Sequence, residues 1–206
     1  MDSSSIRRLP RGRYALPPDE VARAQRDRLM TAMAEVTSEK GFVKTSVEDV
    51  IKRAVISRQS FYQHFTSKLD CFMAAFERST ALLEQRILMA AAGDGGPLER
   101  FDRAMTAFLE TLTDDPANAR LCVTEVYAAG PEAMEHRAMF QRRLGDHVAD
   151  ILGATTEGGR FTSQMIVAAT ATMVSGPLID GDHEALRSLG SRLAAHVRDL
   201  KAAGLL

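Results

Sequence analysis

Tryptophan is absent from these 206 residues, tyrosine occurs three times and cysteine twice. Two cysteines cannot supply the disulfide framework of a small secreted domain, and neither Cys71 nor Cys122 has a Cys or His partner at metal-ligand spacing. Both are expected as buried thiols in a reducing compartment. No alternating β-branched run marks a strand. No hydrophobic stretch approaches the ~20 residues of a membrane span. The longest weakly polar run, Ile166 to Val174, is rich in Ala and Thr. The residues up to Tyr14 hold four arginines and no apolar run, so a signal peptide is not expected. H-E-x-x-H, G-x-S-x-G and glycine-rich phosphate loops are all missing, and the five histidines are scattered. The carboxylate pairs Asp114-Asp115 and Glu132/Glu135 lie at loops or helix starts, where capping accounts for them. These absences argue against an enzyme and against a membrane or secreted protein. A cytoplasmic chain with no cofactor and no metal is expected.

Apolar residues make up 45% of the chain and recur at helical spacing almost from end to end. The fold class is therefore all-α, with about nine helices. Pro17-Pro18-Asp19-Glu20 opens the first, acidic at its positive end, and Gly41 stops it as a left-handed cap. Short helices over 46–54 and 57–64 and a long one over 67–91 follow, each opened by Ser or Thr; Thr45/Glu48 and Ser67/Asp70 have capping-box spacing. Further helices are predicted at 98–113, 116–128, 131–151, 160–179 and 182–203, separated by Gly- and Pro-containing breaks. The expected organisation is a basic arm (1–16), an N-terminal three-helix head (17–66) and a helical body (67–206).

The formal net charge of −1 hides an asymmetry, because residues 1–70 carry 13 Lys/Arg against 9 Asp/Glu, whereas 71–206 carry 13 against 18. The N-terminal third is the part suited to phosphate. Within it, residues 45–68 read TSVEDVIKRAVISRQSFYQHFTSK, the layout of a helix-turn-helix. Val47, Val50, Ile51, Ile56, Phe61 and Phe65 have the spacing of a small core with Leu29, Val36 and Phe42. Ser57, Arg58, Gln59, Ser60, Tyr62, Gln63, His64 and Lys68 are left outside, mixing groups that reach phosphate with groups that read base edges. Arg7, Arg8, Arg11 and Arg13 form an arm that either lies in a minor groove or remains a solvated tail.

The chain resembles the TetR family of transcriptional regulators through S-V-x-D-V at 46–50, S-R-x-S-F-Y-x-H-F at 57–65 and S-K-x-D at 67–70. The resemblance implies a nine-helix, Ω-shaped homodimer that binds an operator in double-stranded DNA, with a variable ligand-binding body. Carried over residue by residue, it implies base contacts from Arg58, Gln59 and Ser60 and phosphate contacts from Thr45, Tyr62, His64 and Lys68, with Ser46, Ser57 and Gln63 completing the DNA-facing set. One position departs from the pattern: Val55 stands where the family usually has glycine. A β-branched residue resists positive φ, so a reshaped turn and a shifted recognition helix are expected there.

In the body, Met and Phe residues suit an adaptable cavity for a small apolar effector, although the same spacing also fits ordinary core. Phe108, Cys122, Val126, Tyr127, Met134 and Met165 are the candidate lining residues, with Tyr127 as the polar anchor. The last two long helices show apolar faces, Met165, Ile166, Ala169 and Met173 on one and Leu189, Leu193 and Val197 on the other. Unless the body covers them, these faces pair with a second copy in a four-helix bundle. The function so expected is a homodimeric, sequence-specific repressor released from its operator by a small lipophilic effector. The alternative is a DNA-binding dimer with no such effector, or one controlled by a protein partner.

Overall fold

The computed structural model describes residues 17–206, and the arm with Arg7, Arg8, Arg11 and Arg13 lies outside them. The described residues form ten α-helices and one 3-10 turn: α1 (Pro18–Lys40), α2 (Val47–Ala54), α3 (Arg58–His64), α4 (Lys68–Ala91), α5 (Pro97–Asp114), α6 (Pro116–Val123), the turn Glu125–Ala128, α7 (Pro131–Leu152), α8 (Glu157–Met173), α9 (Ser175–Asp180) and α10 (His183–Ala202). The fold is all-α, as expected.

Two predicted helices are each divided. The stretch 160–179 starts earlier, at Glu157 behind a Thr156 cap, and breaks at Val174 into α8 and α9. Pro177 has no N–H to give and its ring crowds the carbonyl four residues back, so the α8 ladder cannot run through it. The stretch 116–128 is α-helical only to Val123 and tightens into the 3-10 turn, whose Val126 is fully buried.

Two apolar clusters organise the molecule. The first joins Leu29 and Met33 of α1, Val50 and Ile51 of α2, Phe61 and Phe65 around α3, and Cys71, Phe72 and Phe76 of early α4. It also takes in Leu121, Val126, Ala129 and Ala133, so the head sits directly on α6 and the following turn. The second joins Leu83 and Ile87 of late α4 to α5, α7, α8 and α10. Helix α4 thus passes from one core into the other between Phe76 and Leu83.

Close approaches hold the body helices inward. A Cβ at Gly145 would meet Gln164 of α8 at 2.8 Å, and one at Gly190 would run into Leu109 of α5. The apolar faces of α8 and α10 therefore split. Ile166, Leu189 and Val197 are buried and Leu193 half-buried against the body's own core, which removes them from the expected dimer face. Met165, Ala169 and Met173, joined by Phe161, remain exposed along the outside of α8.

Candidate nucleic-acid interface and apolar cavity

The head is locked by local chemistry before any long-range contact. Ser46, not Thr45, caps α2: its Oγ accepts from the Asp49 N–H, and the Asp49 carboxylate accepts in return from the Ser46 N–H. Lys40 closes on Asp49 at 2.7 Å, and its hydrogen bond, with those from Ser46, holds that carboxyl well below the usual range. Ser57 caps α3 through the Ser60 N–H. Ser67 caps α4, while the Asp70 carboxylate reaches back to Thr66 N–H at 2.7 Å.

Between α2 and α3, Val55 adopts φ 54° and ψ 52°, the left-handed conformation that glycine would take. The expected reshaping of the turn does not occur. The valine side chain is 81% exposed, so it meets no neighbour that forbids the conformation, and the chain bears the local strain instead. Ile56 follows at once into the core, where its N–H donates to Ile51 O at 3.0 Å.

Phe61 and Phe65 are buried, which turns the opposite face of α3 outward. Arg58, Gln59, Tyr62 and Gln63 are exposed on it, Ser57 and Ser46 are exposed at the caps, and Ser60 is half-buried with its Oγ 2.9 Å from that of Ser57. The Arg58 guanidinium has only a long contact to Glu48, at 4.0 Å, and lies 5.9 Å over the Tyr62 ring. His64 is half-buried with Nε2 3.0 Å from Gln25 Oε1.

Two of the expected phosphate contacts are placed differently. Thr45 is 3% exposed and its hydroxyl donates to Gly41 O, so its side chain is turned into the loop between α1 and α2. Lys68 donates to the carbonyls of Phe42 and Thr45 at 2.9 and 3.0 Å and sits over the Phe42 ring. Burial pulls its pKa down. An ammonium carries three N–H donors, so one is left for another acceptor. Lys44 is exposed in the same loop, two residues before Ser46, and belongs to no motif.

In the body, α4 to α8 line a small, partly open apolar cavity of about 90 Å³. Its walls include Leu83, Ile87, Phe101, Met105, Phe108, Cys122, Phe140, Leu144, Ile166 and Val167. Phe108 and Cys122 are the two expected lining residues that it contains. Val126 is buried instead in the seam between head and body, Tyr127 is 53% exposed, and Met165 points outward. Met134 is half-buried and is not part of the wall. Tyr127 is no anchor: Arg137 stacks over its ring at 4.6 Å, and it is Arg137, hydrogen-bonded to Gln141, that reaches the cavity edge. Both cysteines are free, and burial pushes their thiols up to about 12, which leaves them unreactive near neutrality.

The head and the cavity wall are tied by two polar links. The Glu125 carboxylate accepts from the Phe42 N–H at 2.8 Å. Arg120 of α6 donates to Ser38 O at the end of α1 and to Ile179 O of α9. Among the described residues, no group of three or more His, Cys, Asp or Glu could hold a metal ion, and no helix is long and apolar enough to cross a membrane.

Comparison with known proteins bears on both regions. Residues 29–75 match the family model described as bacterial regulatory proteins, tetR family. The chain is 26% identical over 137 residues to the HTH-type transcriptional activator FasR of Mycolicibacterium smegmatis, an alignment that spans 66% of this chain but only 61% of that protein. In structure it is similar to the fatty acid degradation regulator FadR from Bacillus halodurans, with a TM-score of 0.74 and 16% identity, covering 88% of this chain and 95% of the other. It is also similar to FadR from Bacillus subtilis in complex with stearoyl-CoA, with a TM-score of 0.69 and 16% identity, covering 82% and 95%. At such identities these structural likenesses establish the fold alone.

Proposed function

We propose that the chain is a DNA-binding transcriptional regulator of the TetR family, a homodimeric repressor whose hold on its operator is weakened by a ligand with a long acyl chain. Arg58, Gln59 and Ser60 read base edges in the major groove, and Tyr62, His64, Ser46 and the remaining donor of Lys68 position the head on phosphates. One head offers few base-reading groups, so two copies on a near-palindromic site supply the specificity. The exposed stripe Phe161, Met165, Ala169 and Met173 on α8 is the face that a second copy covers.

The observation that carries the ligand reading is the path of α4. One rigid helix has Phe72 and Phe76 in the head core and Leu83 and Ile87 in the cavity wall. Swelling the cavity displaces the far end of that helix, and the displacement reappears at Lys68 and α3 as a changed separation of the two heads. An apolar wall selects a hydrocarbon ligand, and the fatty-acid regulators among the similar folds favour an acyl chain. The activator among its relatives favours a second reading of the output, in which the bound protein recruits rather than blocks transcription.

The test is operator binding on a site selected from random DNA, followed by anisotropy during titration with acyl ligands of increasing chain length. Long acyl ligands are expected to lower affinity about 100-fold, which requires about 2.7 kcal/mol of preference for the head-separated state. Operator binding that no acyl ligand alters overturns the effector and leaves the DNA-binding dimer.

A further inference from the structure

A carboxylate on a surface that meets DNA is repelled by every phosphate within a screening length, so it weakens binding unless it does something else there. Most of the acidic side chains around α2 are occupied in holding the head together. Asp49 is closed in by Ser46 and Lys40, Asp70 by Thr66, and Glu35 and Glu39 both hold Arg53. Glu48, in the first turn of α2, is placed differently. Its Oε1 lies 3.5 Å from Lys52 Nζ on the same helix, and its Oε2 lies 4.0 Å from Arg58 Nη1, across the turn at Val55 and at the start of α3. Of the three side chains the carboxylate is the least exposed.

A contact of 4.0 Å between exposed side chains adds little to stability. Its consequence is for recognition. An arginine beside a duplex has two kinds of acceptor within reach: phosphate oxygens, which carry the full charge and no sequence information, and the O6 and N7 of guanine, which are neutral. A carboxylate a few ångströms from the guanidinium repels the phosphate strongly and the base edge weakly. It also narrows the swing of the side chain, whose guanidinium lies 5.9 Å over the Tyr62 ring. Only Nη1 faces Glu48, and a guanidinium has five N–H donors, so a forked contact to a base stays open.

We propose that Glu48 is a specificity-determining residue that acts through Arg58: it turns the guanidinium from phosphate toward one base, lowering affinity for DNA in general while raising discrimination at that base. This rests on the reading of Arg58 as a base contact. Glu48 is a positioning residue in this role, because each of its oxygens already faces a cation of the protein. A carboxylate that instead accepted from a cytosine amino group would read a base of its own and would not depend on Arg58.

The experiment uses the full-length protein and Glu48→Gln, which keeps the length of the side chain and removes its charge, alone and combined with Arg58→Ala. Affinities are measured across a salt series on an operator selected from random DNA, on its single-base-pair variants and on a random duplex. Glu48→Gln is expected to tighten the random duplex about threefold, with a steeper salt dependence. At the base pair that Arg58→Ala relaxes, it should reduce discrimination about fivefold, and in the Arg58→Ala background it should change nothing further there. A set of base preferences that Glu48→Gln leaves intact overturns the proposal and makes Glu48 a solvated charge at a helix start. Relaxation at a different base pair, present with and without Arg58, overturns it in favour of direct reading by the carboxylate. Should Arg58→Ala itself leave every base preference unchanged, the base-reading role of Arg58 falls first, and that of Glu48 with it.

Discussion

The head and the body are built from the same kind of helix and share α4, yet they place function in opposite ways. In the head, the groups we propose for DNA contact lie on α3 and beside it at the starts of α2 and α4, within one short stretch of chain. The residues behind them, Phe61 and Phe65, are buried tightly enough to leave those groups one orientation. In the body, seventeen residues from five helices line a cavity that exists only because α5, α7 and α8 stop short of filling it. A solid core fixes a recognition surface; an incompletely filled one leaves room for a ligand. The link between them is one helix with a foot in each core, flanked by the Glu125–Phe42 and Arg120–Ser38 contacts.

Arg58→Ala should divide the two regions most sharply. It is expected to relax preference at one base position, losing about 1–3 kcal/mol if the contact is bidentate to guanine. The fractional response to an acyl ligand should stay the same. Selection of operators from a random pool measures the first, and ligand titration on the relaxed site measures the second. A shifted ligand response would mean that α3 and the cavity are not separable.

Val55→Gly is expected to have a smaller and stabilising effect. Left-handed backbone costs an L-residue about 1–2 kcal/mol, and glycine gives back about 0.5–1 kcal/mol in unfolded-state entropy, so a net gain of about 0.5–1 kcal/mol remains. The exposed valine side chain loses little packing. Thermal melting reads the gain, and unchanged operator affinity is expected. A loss of stability would show that Val55 makes a contact outweighing its backbone strain.

The smallest effect belongs to the body. Glu84 of α4 accepts from Arg143 Nε and His147 Nε2 of α7, each at 2.8 Å. Burial pushes its carboxyl up, but those hydrogen bonds outweigh it and the folded pKa lies below the usual 4.5. Its contribution is therefore complete above 4.5 and is lost as the pH falls through the folded value. Glu84→Gln should flatten that acid-side slope by a few tenths of a kcal/mol, since Arg143 is half exposed. Chemical denaturation from pH 3 to 7 measures it, and an unchanged slope would place the body's acid sensitivity elsewhere.

Helix class, the short caps at Ser57 and Ser67 and the outward set on α3 could be read from the chain, because each depends on residues within four of one another, whereas the box at α2 forms between Ser46 and Asp49, one residue beyond the expected Thr45 and Glu48. Hydrogen bonds across three positions and apolar spacing across four are local chemistry, and local chemistry is written in order. The break at Val174 was equally local in cause, yet the apolar run over Ile166–Val174 hides it until Pro177 has to be seated. The position of Thr45 and Lys68 was decided by the loop that both serve, where backbone carbonyls claim their donors.

The cavity was decided by tertiary structure alone. Val126, Tyr127, Met134 and Met165 suit a cavity wall as well as Phe108 and Cys122 do, but the 3-10 turn carries Val126 into the seam and Tyr127 to the surface, and the rotation of α7 and α8 about their own axes keeps Met134 and Met165 out of the wall. That rotation is set where Gly145 of α7 admits Gln164 of α8. The sequence by itself determined that the chain is helical and which side of the recognition helix is polar. Which apolar residues face a void, and which face a neighbour, depends on packing between segments tens of residues apart, for which no single stretch of chain carries the information.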